Sequence, residues 1–260
     1  MNRPARAWYW HSQDERSLAR ADYRRQGEGM TITVITGANK GLGYETARQL
    51  IAAGHTVYIG ARDKTNAERA AKELDALPLL IDITDDASVQ AAADHVAAEH
   101  GVVDLLVNNA GIAGFGKQTE ELTGADVAAI LDTNVVGIVR MMHAFLPLLR
   151  RSANGVVVNV GSGLGSFGRV HDPERIESQV VSVGYHASKA AVSMLTVQYA
   201  KAFPELRVNV VDPGYTATDL NGFRGTQTIP EGAAPIVAAA LLTADGPTGT
   251  FFDPAGIAPW

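Results

Sequence analysis

The run TITVITGANKGLG, Thr31 to Gly43, decides how the rest of the chain is read. Ile32, Val34 and Ile35 supply the β-branched apolar residues of a buried strand, which breaks at Gly37, Gly41 and Gly43. Tyr44, Ala47, Leu50 and Ile51 then recur at three- and four-residue intervals, the spacing of an amphipathic helix. A turn without Cβ atoms lets backbone N–H groups approach a phosphate, and the positive end of the following helix dipole favours its charge. A glycine-rich connector would explain the glycines alone. Strand, turn and helix in that order point instead to a pyrophosphate site.

The same alternation continues outward. Strands are predicted at His55–Gly60, Leu77–Ile81, Asp104–Val107, Gly155–Val160, Arg207–Val211 and Gly249–Phe252. Helices are predicted at Asn66–Ala76, at Asp85–Glu99 with an aspartate cap, over Thr123–Leu149 as one long pattern, at Tyr185–Ala202 and at Pro230–Leu242. Continuous Val/Ile/Leu strands separated by helices imply a parallel sheet covered on both faces, with ligands beyond the carboxyl ends of the strands. The expected fold is therefore α/β: a doubly wound, Rossmann-type parallel sheet in a single domain over residues 30–260.

Composition narrows the function. At 260 residues the chain can bury one large core, and 46% hydrophobic with 19% charged residues is ordinary for a globular protein. No apolar run reads as a membrane span, and a net charge of −6 without a basic helix argues against nucleic acid. The lack of cysteine removes disulfides, thiol nucleophiles and thiolate metal sites and fits the cytoplasm. A small-molecule ligand is expected. Residues 1–29 stand apart: six arginines against four acidic residues, no apolar core, and the aromatic cluster Trp8, Tyr9 and Trp10. They read as a disordered or non-native extension, with Met30 directly before the first strand.

Chemistry-bearing residues gather where strands end: Gly161-Ser162-Gly163 after the fifth, Asp212-Pro213-Gly214 after the sixth, and Tyr185 with Lys189 at a helix start. Four residues apart on a helix, Tyr185 and Lys189 share one face. A phenol with a pKa near 10 is a poor acid–base group at neutral pH, but an ammonium at about 4 Å would attract the phenolate by roughly 4 kcal/mol and lower that pKa. On spacing alone, a surface lysine beside a half-buried tyrosine is the commoner explanation. The other motifs reverse that preference.

TGANKGLG (36–43), NNAG (108–111), Ser162, YHASK (185–189) and PGYTAT (213–218), in that order, resemble the short-chain dehydrogenase/reductase family over essentially Thr31 to Trp260. Within it, TGANKGLG and GARD (60–63) most resemble the NADPH-dependent carbonyl reductases. The resemblance implies reduction of a ketone, aldehyde or quinone to an alcohol, or the reverse. Tyr185 would be the acid/base, Lys189 would lower its pKa and hold the nicotinamide ribose, Ser162 would bind the substrate oxygen, and Asn134 would serve a proton relay. For Asn134 the bland reading is a helix-distorting polar residue bonded to backbone. Gly37, Asn39, Lys40, Gly41, Leu42 and Gly43 would cradle the phosphates, with Arg62 near the adenosine ribose and Asp82 and Ile83 beside the adenine. Asn109, Ala110 and Gly111 would border the cofactor, and Pro213, Gly214, Thr216 and Thr218 would meet its nicotinamide end. No metal is required.

Two features depart from the family pattern. Gly161 stands where many members have a second serine, which is expected to loosen the turn. Tyr185 lies 23 positions after Ser162, about twice the separation in simple members. The additional chain, Arg169 to Val183, is expected to border the pocket, and it leaves both a homo-oligomer and a monomer open. His171 within it reads as solvated. NADP(H) is expected over NAD(H), because Ala61 takes the position of the acid that accepts ribose hydrogen bonds and Arg62 follows it. Asp63 is the residue that would reverse this preference. The alternative function is a sensor that binds NADP(H) without turnover; the joint presence of Asn134, Ser162, Tyr185 and Lys189 favours the enzyme.

Overall fold

In the first strand, β1 (Thr31–Thr36), Ile32 and Val34 face one hydrophobic layer and Ile35 the other. That period-2 alternation, apolar on both sides, requires cover on both faces. The computed structural model describes residues 30–114 and 116–260; the proposed extension at 1–29 lies outside the described residues. After β1 come α1 (Gly41–Ala52), β2 (His55–Ala61), α2 (Lys64–Leu74), β3 (Leu77–Leu80), α3 (Asp86–His100) and β4 (Leu105–Asn108). The second half runs α4 (Gly124–Leu131), α5 (Gly137–Leu149), β5 (Val156–Val160), α6 (Phe167–Val170), α7 (Val183–Ala202), β6 (Arg207–Val211), α8 (Ile229–Ala240), β7 (Phe251–Asp253) and β8 (Gly256–Ile257).

The strands form one sheet in the order β3-β2-β1-β4-β5-β6-β7-β8, a single-domain Rossmann-type arrangement. All neighbours are parallel except β7 and β8: β7 overlaps the strand expected at Gly249–Phe252, whereas the two-residue β8 that pairs with it is too short to read from sequence. One face packs on α3, α5 and α7 through Val96, Met141, Phe145 and Val192; the other packs on α1, α2 and α8 through Leu50, Ala71 and Ile236. β1 is flanked by β2 on one side and β4 on the other, so the chain reverses its winding there. A crevice opens at that reversal, beyond the carboxyl ends of the strands.

Two expectations are corrected. The pattern from Thr123 to Leu149 is two helices joined by a π-helical turn, Asp132–Val136, in which Gly137 N–H reaches back to the Asp132 carbonyl. One extra residue turns the following face by about 100°, but the run is apolar on several faces, so the sequence pattern conceals the shift. That same run, Gly124–Leu149, is long and apolar enough to cross a membrane, contrary to the reading from composition. Here it is a core element. Met141, Phe145 and Leu149 are buried against the sheet, and Arg140 is held by Asp86 at 3.0 Å, by Asp132 at 2.9 Å and by the Ile83 carbonyl at 3.2 Å.

Candidate active site

Gly37 and Gly41 take φ values of +63° and +59°, which a side chain would strain. Gly43 is required by proximity instead: a Cβ there would stand 2.5 Å from Asn109 Nδ2 and 2.6 Å from the Gly37 carbonyl oxygen. Asn109 Nδ2 donates to the carbonyls of Thr36 (2.9 Å) and Gly37 (3.1 Å), while Thr36 Oγ1 accepts from the N–H groups of Asn109 and Ala110, both at 3.0 Å. The glycine turn and the NNAG segment thus brace each other. Above them lies a cavity of about 460 Å³, within the size range of small-molecule sites.

The crevice fits a dinucleotide along its length. Gly37, Asn39, Lys40, Gly41 and Leu42 line it beside the open N-terminus of α1, as do Asn109, Ala110 and Gly111; Gly43 sits beneath as packing. At one end β2 stops at Ala61, and Ala61, Arg62, Asp82 and Ile83 form the wall. Asp82 is spent on Thr84, accepting from its N–H at 2.9 Å and its hydroxyl at 2.7 Å, and these bonds hold its carboxyl below the ordinary range. Asp63 does not line the cavity. It caps α2, its Oδ1 accepting from Asn66 N–H at 2.8 Å. Lys40 pairs with Asp219, an ion pair across the mouth that the sequence did not suggest.

At the other end Tyr185 and Lys189 project from the first turns of α7, both buried. The Tyr185 phenol hydrogen-bonds to the Ser162 side chain. Lys189 Nζ donates to the Val160 carbonyl at 2.7 Å and lies 5.5 Å from the centre of the Tyr185 ring. The expected lowering of the phenol by Lys189 is not what this geometry yields. Burial pushes the phenol above its ordinary value and Asp212 pushes it further, while Ser162 pulls it down. Burial likewise brings Lys189 down to about 8, against the opposing pull of Asp212.

Asn134 lies in the π turn, buried. Its Oδ1 accepts from Ile112 N–H and its Nδ2 donates to the Ile112 carbonyl, both at 2.8 Å, and to Ser188 Oγ at 3.0 Å. Ser188 in turn donates to the Tyr185 carbonyl at 2.7 Å. The backbone-bonded alternative for Asn134 is therefore realised, and it ties the NNAG loop to the helix bearing Tyr185. Of the nicotinamide-end residues, Pro213 and Thr218 line the cavity, whereas Gly214 and Thr216 do not. Thr216 is buried and turns its hydroxyl to the carbonyls of Pro213 and Gly214, each at 3.3 Å. Gly161 does not loosen its turn: its N–H bonds to the Val211 carbonyl at 2.7 Å, and a Cβ would meet Val210 Cγ2 at 2.5 Å.

Residues 31–228 match the short chain dehydrogenase family model, which is most of the chain. The protein belongs to that family. It is 36% identical to the "Short-chain dehydrogenase anuI" of Penicillium roqueforti (strain FM164) over 222 residues, 80% of this chain and 88% of the relative. It is 30% identical to the (+)-neomenthol dehydrogenase of Capsicum annuum over 295 residues, 84% and 94% of the two chains. Among solved structures, salutaridine reductase from Papaver somniferum superposes with a TM-score of 0.75 at 28% identity, covering 85% of this chain and 99% of that one. This short-chain dehydrogenase is an NAD(P)-dependent oxidoreductase acting on CH–OH and C=O groups.

The dehydrogenase's additional chain is more ordered than a loop at the pocket mouth. It contributes the end of α6 and a 3₁₀ turn, Ile176–Gln179, and lines none of the main cavity. His171 is exposed, its Nδ1 against the Phe167 carbonyl at 2.8 Å. Three contributors were not singled out from sequence: Thr36, Asp219 and above all the buried Arg169, which meets Asp212 at 2.8 Å. An arginine opening an otherwise polar insertion was the available signal.

Proposed function

We propose that this dehydrogenase reduces a ketone, aldehyde or quinone with NADPH, using Tyr185 as the proton donor, in a cytoplasmic setting. The observation that carries this reading is the buried Tyr185 phenol, bonded to Ser162 and flanked by Lys189, at the end of a crevice that begins at Arg62. Bound NADPH supplies the hydride. The protein's part is to orient, to exclude water and to manage one proton.

Ser162 and Tyr185 both present hydroxyls to the position a carbonyl oxygen would take, so the oxygen meets two donors as negative charge develops on it. A phenol held above its ordinary value is fully protonated at neutral pH, the state that reduction needs. The reverse reaction needs the phenolate, so it should accelerate as pH rises. Lys189, fixed on the Val160 carbonyl and lining the crevice, would hold a ribose hydroxyl of the cofactor and, as an ammonium, would return a proton to Tyr185 and take one up in turn from solvent. Asn134 contributes by holding Ser188 and hence the turn of α7 that carries Tyr185.

Preference for NADPH rests on the end of β2. Ala61 offers no carboxylate, Arg62 faces the cavity, and Asp63 is committed to capping α2. A panel of cyclohexanone, benzaldehyde and phenanthrenequinone, each with NADPH and with NADH and followed at the nicotinamide absorbance, tests the reading. Turnover of at least one compound with higher kcat/KM for NADPH is expected. No turnover, or a preference for NADH, overturns it.

A further inference from the structure

Behind the Ser162 turn lies a buried cluster of charge that the proposed mechanism does not use. Arg169, 3% exposed, closes α6. Its Nη1 donates to Asp212 Oδ2 at 2.8 Å and stands 3.6 Å from Glu177 Oε1, its Nη2 pairs with Asp253, and its guanidinium carbon lies 5.5 Å from the centre of the Phe251 ring. Arg175 donates to the same Glu177 Oε1 from its Nη2 at 2.9 Å and to Oε2 from its Nε at 3.2 Å. Three carboxylates thus share two guanidinium groups, and among the described residues Arg169 is the one cation in an ion pair with Asp212.

The cluster presses on the backbone of two active-site turns. A Cβ on Gly163 would stand 2.6 Å from Glu177 Oε1, 2.9 Å from Asp212 Oδ2 and 3.0 Å from Arg169 Nη1, so the charged groups pack directly against the residue after Ser162. On its other side Asp212 Oδ1 accepts from Gly214 N–H at 3.0 Å and fixes the Pro213-Gly214 turn. Asp212 is also the carboxylate whose field reaches both Tyr185 and Lys189. Burial already pushes the Asp212 carboxyl above its ordinary range while Arg169 pulls it down; without that guanidinium it is pushed up further, and it is in the alkaline range, where it is ionised, that its charge acts more strongly on its neighbours.

We propose that Arg169 is a positioning residue for proton transfer: through Asp212 and Glu177 it locks the Ser162–Gly163 turn to the Asp212–Gly214 turn and offsets the carboxylate charge facing Tyr185. This rests on Tyr185 being the acid/base. It also gives the insertion a catalytic purpose, because residues at its start and middle, Arg169 and Glu177, meet at this one point. Among the described residues, the groups facing the phenol include Ser162 from the end of β5, Lys189 from α7 and Asp212 from the end of β6; those facing Asp212 include Arg169, Glu177, Asp253 and the Gly214 N–H.

The test compares the full chain with Arg169→Met, Asp212→Asn and Tyr185→Phe, using the fastest compound of the panel and its alcohol. For Arg169→Met, kcat should fall about 10- to 100-fold with KM for NADPH within about threefold, since the cofactor end is untouched. The pH limb of alcohol oxidation should move in opposite directions: up by about half a unit or more in Arg169→Met, where the carboxylate is unopposed, and down in Asp212→Asn, where it is gone. Loosened packing alone would lower kcat in both without opposed shifts. Limbs that coincide with the parent, or an unchanged kcat in Arg169→Met, overturn the inference. Should Arg169→Met fail to fold, judged by NADPH binding and melting, the limb of Asp212→Asn decides alone. If Tyr185→Phe keeps its turnover, the acid/base reading has failed; if Tyr185→Phe is inactive and the limbs do not move, only the role of Arg169 has.

Discussion

Where β2 ends, the charged groups of the crevice are open to solvent: Arg62 is exposed and the Lys40 side chain is 64% exposed. Where β5 and β6 end, Tyr185, Lys189, Asp212 and Arg169 are each 7% exposed or less. The difference is one of electrostatic leverage. Exposed charges act through screened, separable increments, so they can be exchanged one at a time to retune which ligand is held. Buried charges act together, because removing one leaves its partner without solvent to replace it. On the proposed function, the β2 end is therefore suited to selectivity and the β5–β6 end to chemistry.

The sharpest test of that contrast is Tyr185→Phe. It deletes one hydroxyl at the buried end while keeping the ring, and kcat is expected to drop about a thousandfold or more with NADPH affinity preserved, as measured by steady-state turnover and nicotinamide fluorescence. Next in size is Gly43→Ala, placed between the ends. Its Cβ must displace Asn109 or the Gly37 carbonyl, costing about 1–3 kcal/mol, so the melting temperature should fall by about 2–10 °C and NADPH binding should weaken. A variant that melts like the parent would show that the brace gives way easily.

At the open end, Ala61→Asp with Arg62→Ile should shift the NADPH/NADH ratio of kcat/KM about 10- to 100-fold toward NADH while kcat with the better cofactor changes little. A large loss of kcat would break the comparison by showing that the two ends are coupled. Smallest is Lys40→Ala. Its exposed pair with Asp219 contributes no more than about 1 kcal/mol to stability, so melting should hardly move while KM for NADPH rises several-fold, and less so as salt is added.

How much of this was legible in the sequence follows the same division. Glycine turns, strand alternation and the Tyr185–Lys189 spacing are local, and local pattern located the carboxyl-end crevice that Tyr185 and Lys189 line; Arg62, which also lines it, was placed by family resemblance, and Ser162 stands behind the lining. Asp63 shows the limit of counting residues: it sits near where an acid would meet the ribose, but its backbone already begins α2 and its carboxylate is taken by the cap. The Arg169 cluster was invisible for a different reason. Asp212 and Asp253 lie 43 and 84 positions from Arg169, and only the folded sheet brings them together. The sign of the shift on Tyr185 was missed for the same cause: burial and Asp212, neither of them local to the helix, push the phenol up, and Lys189 spends its ammonium on the Val160 carbonyl.

One consequence of the Asn109 brace concerns how such an enzyme can change over time. Asn109 holds the carbonyls of Thr36 and Gly37 with the same amide nitrogen that a side chain at Gly43 would strike, so three short words of sequence, far apart in the chain, form a single mechanical part. A substitution at any of the three is therefore expected to be felt at the other two.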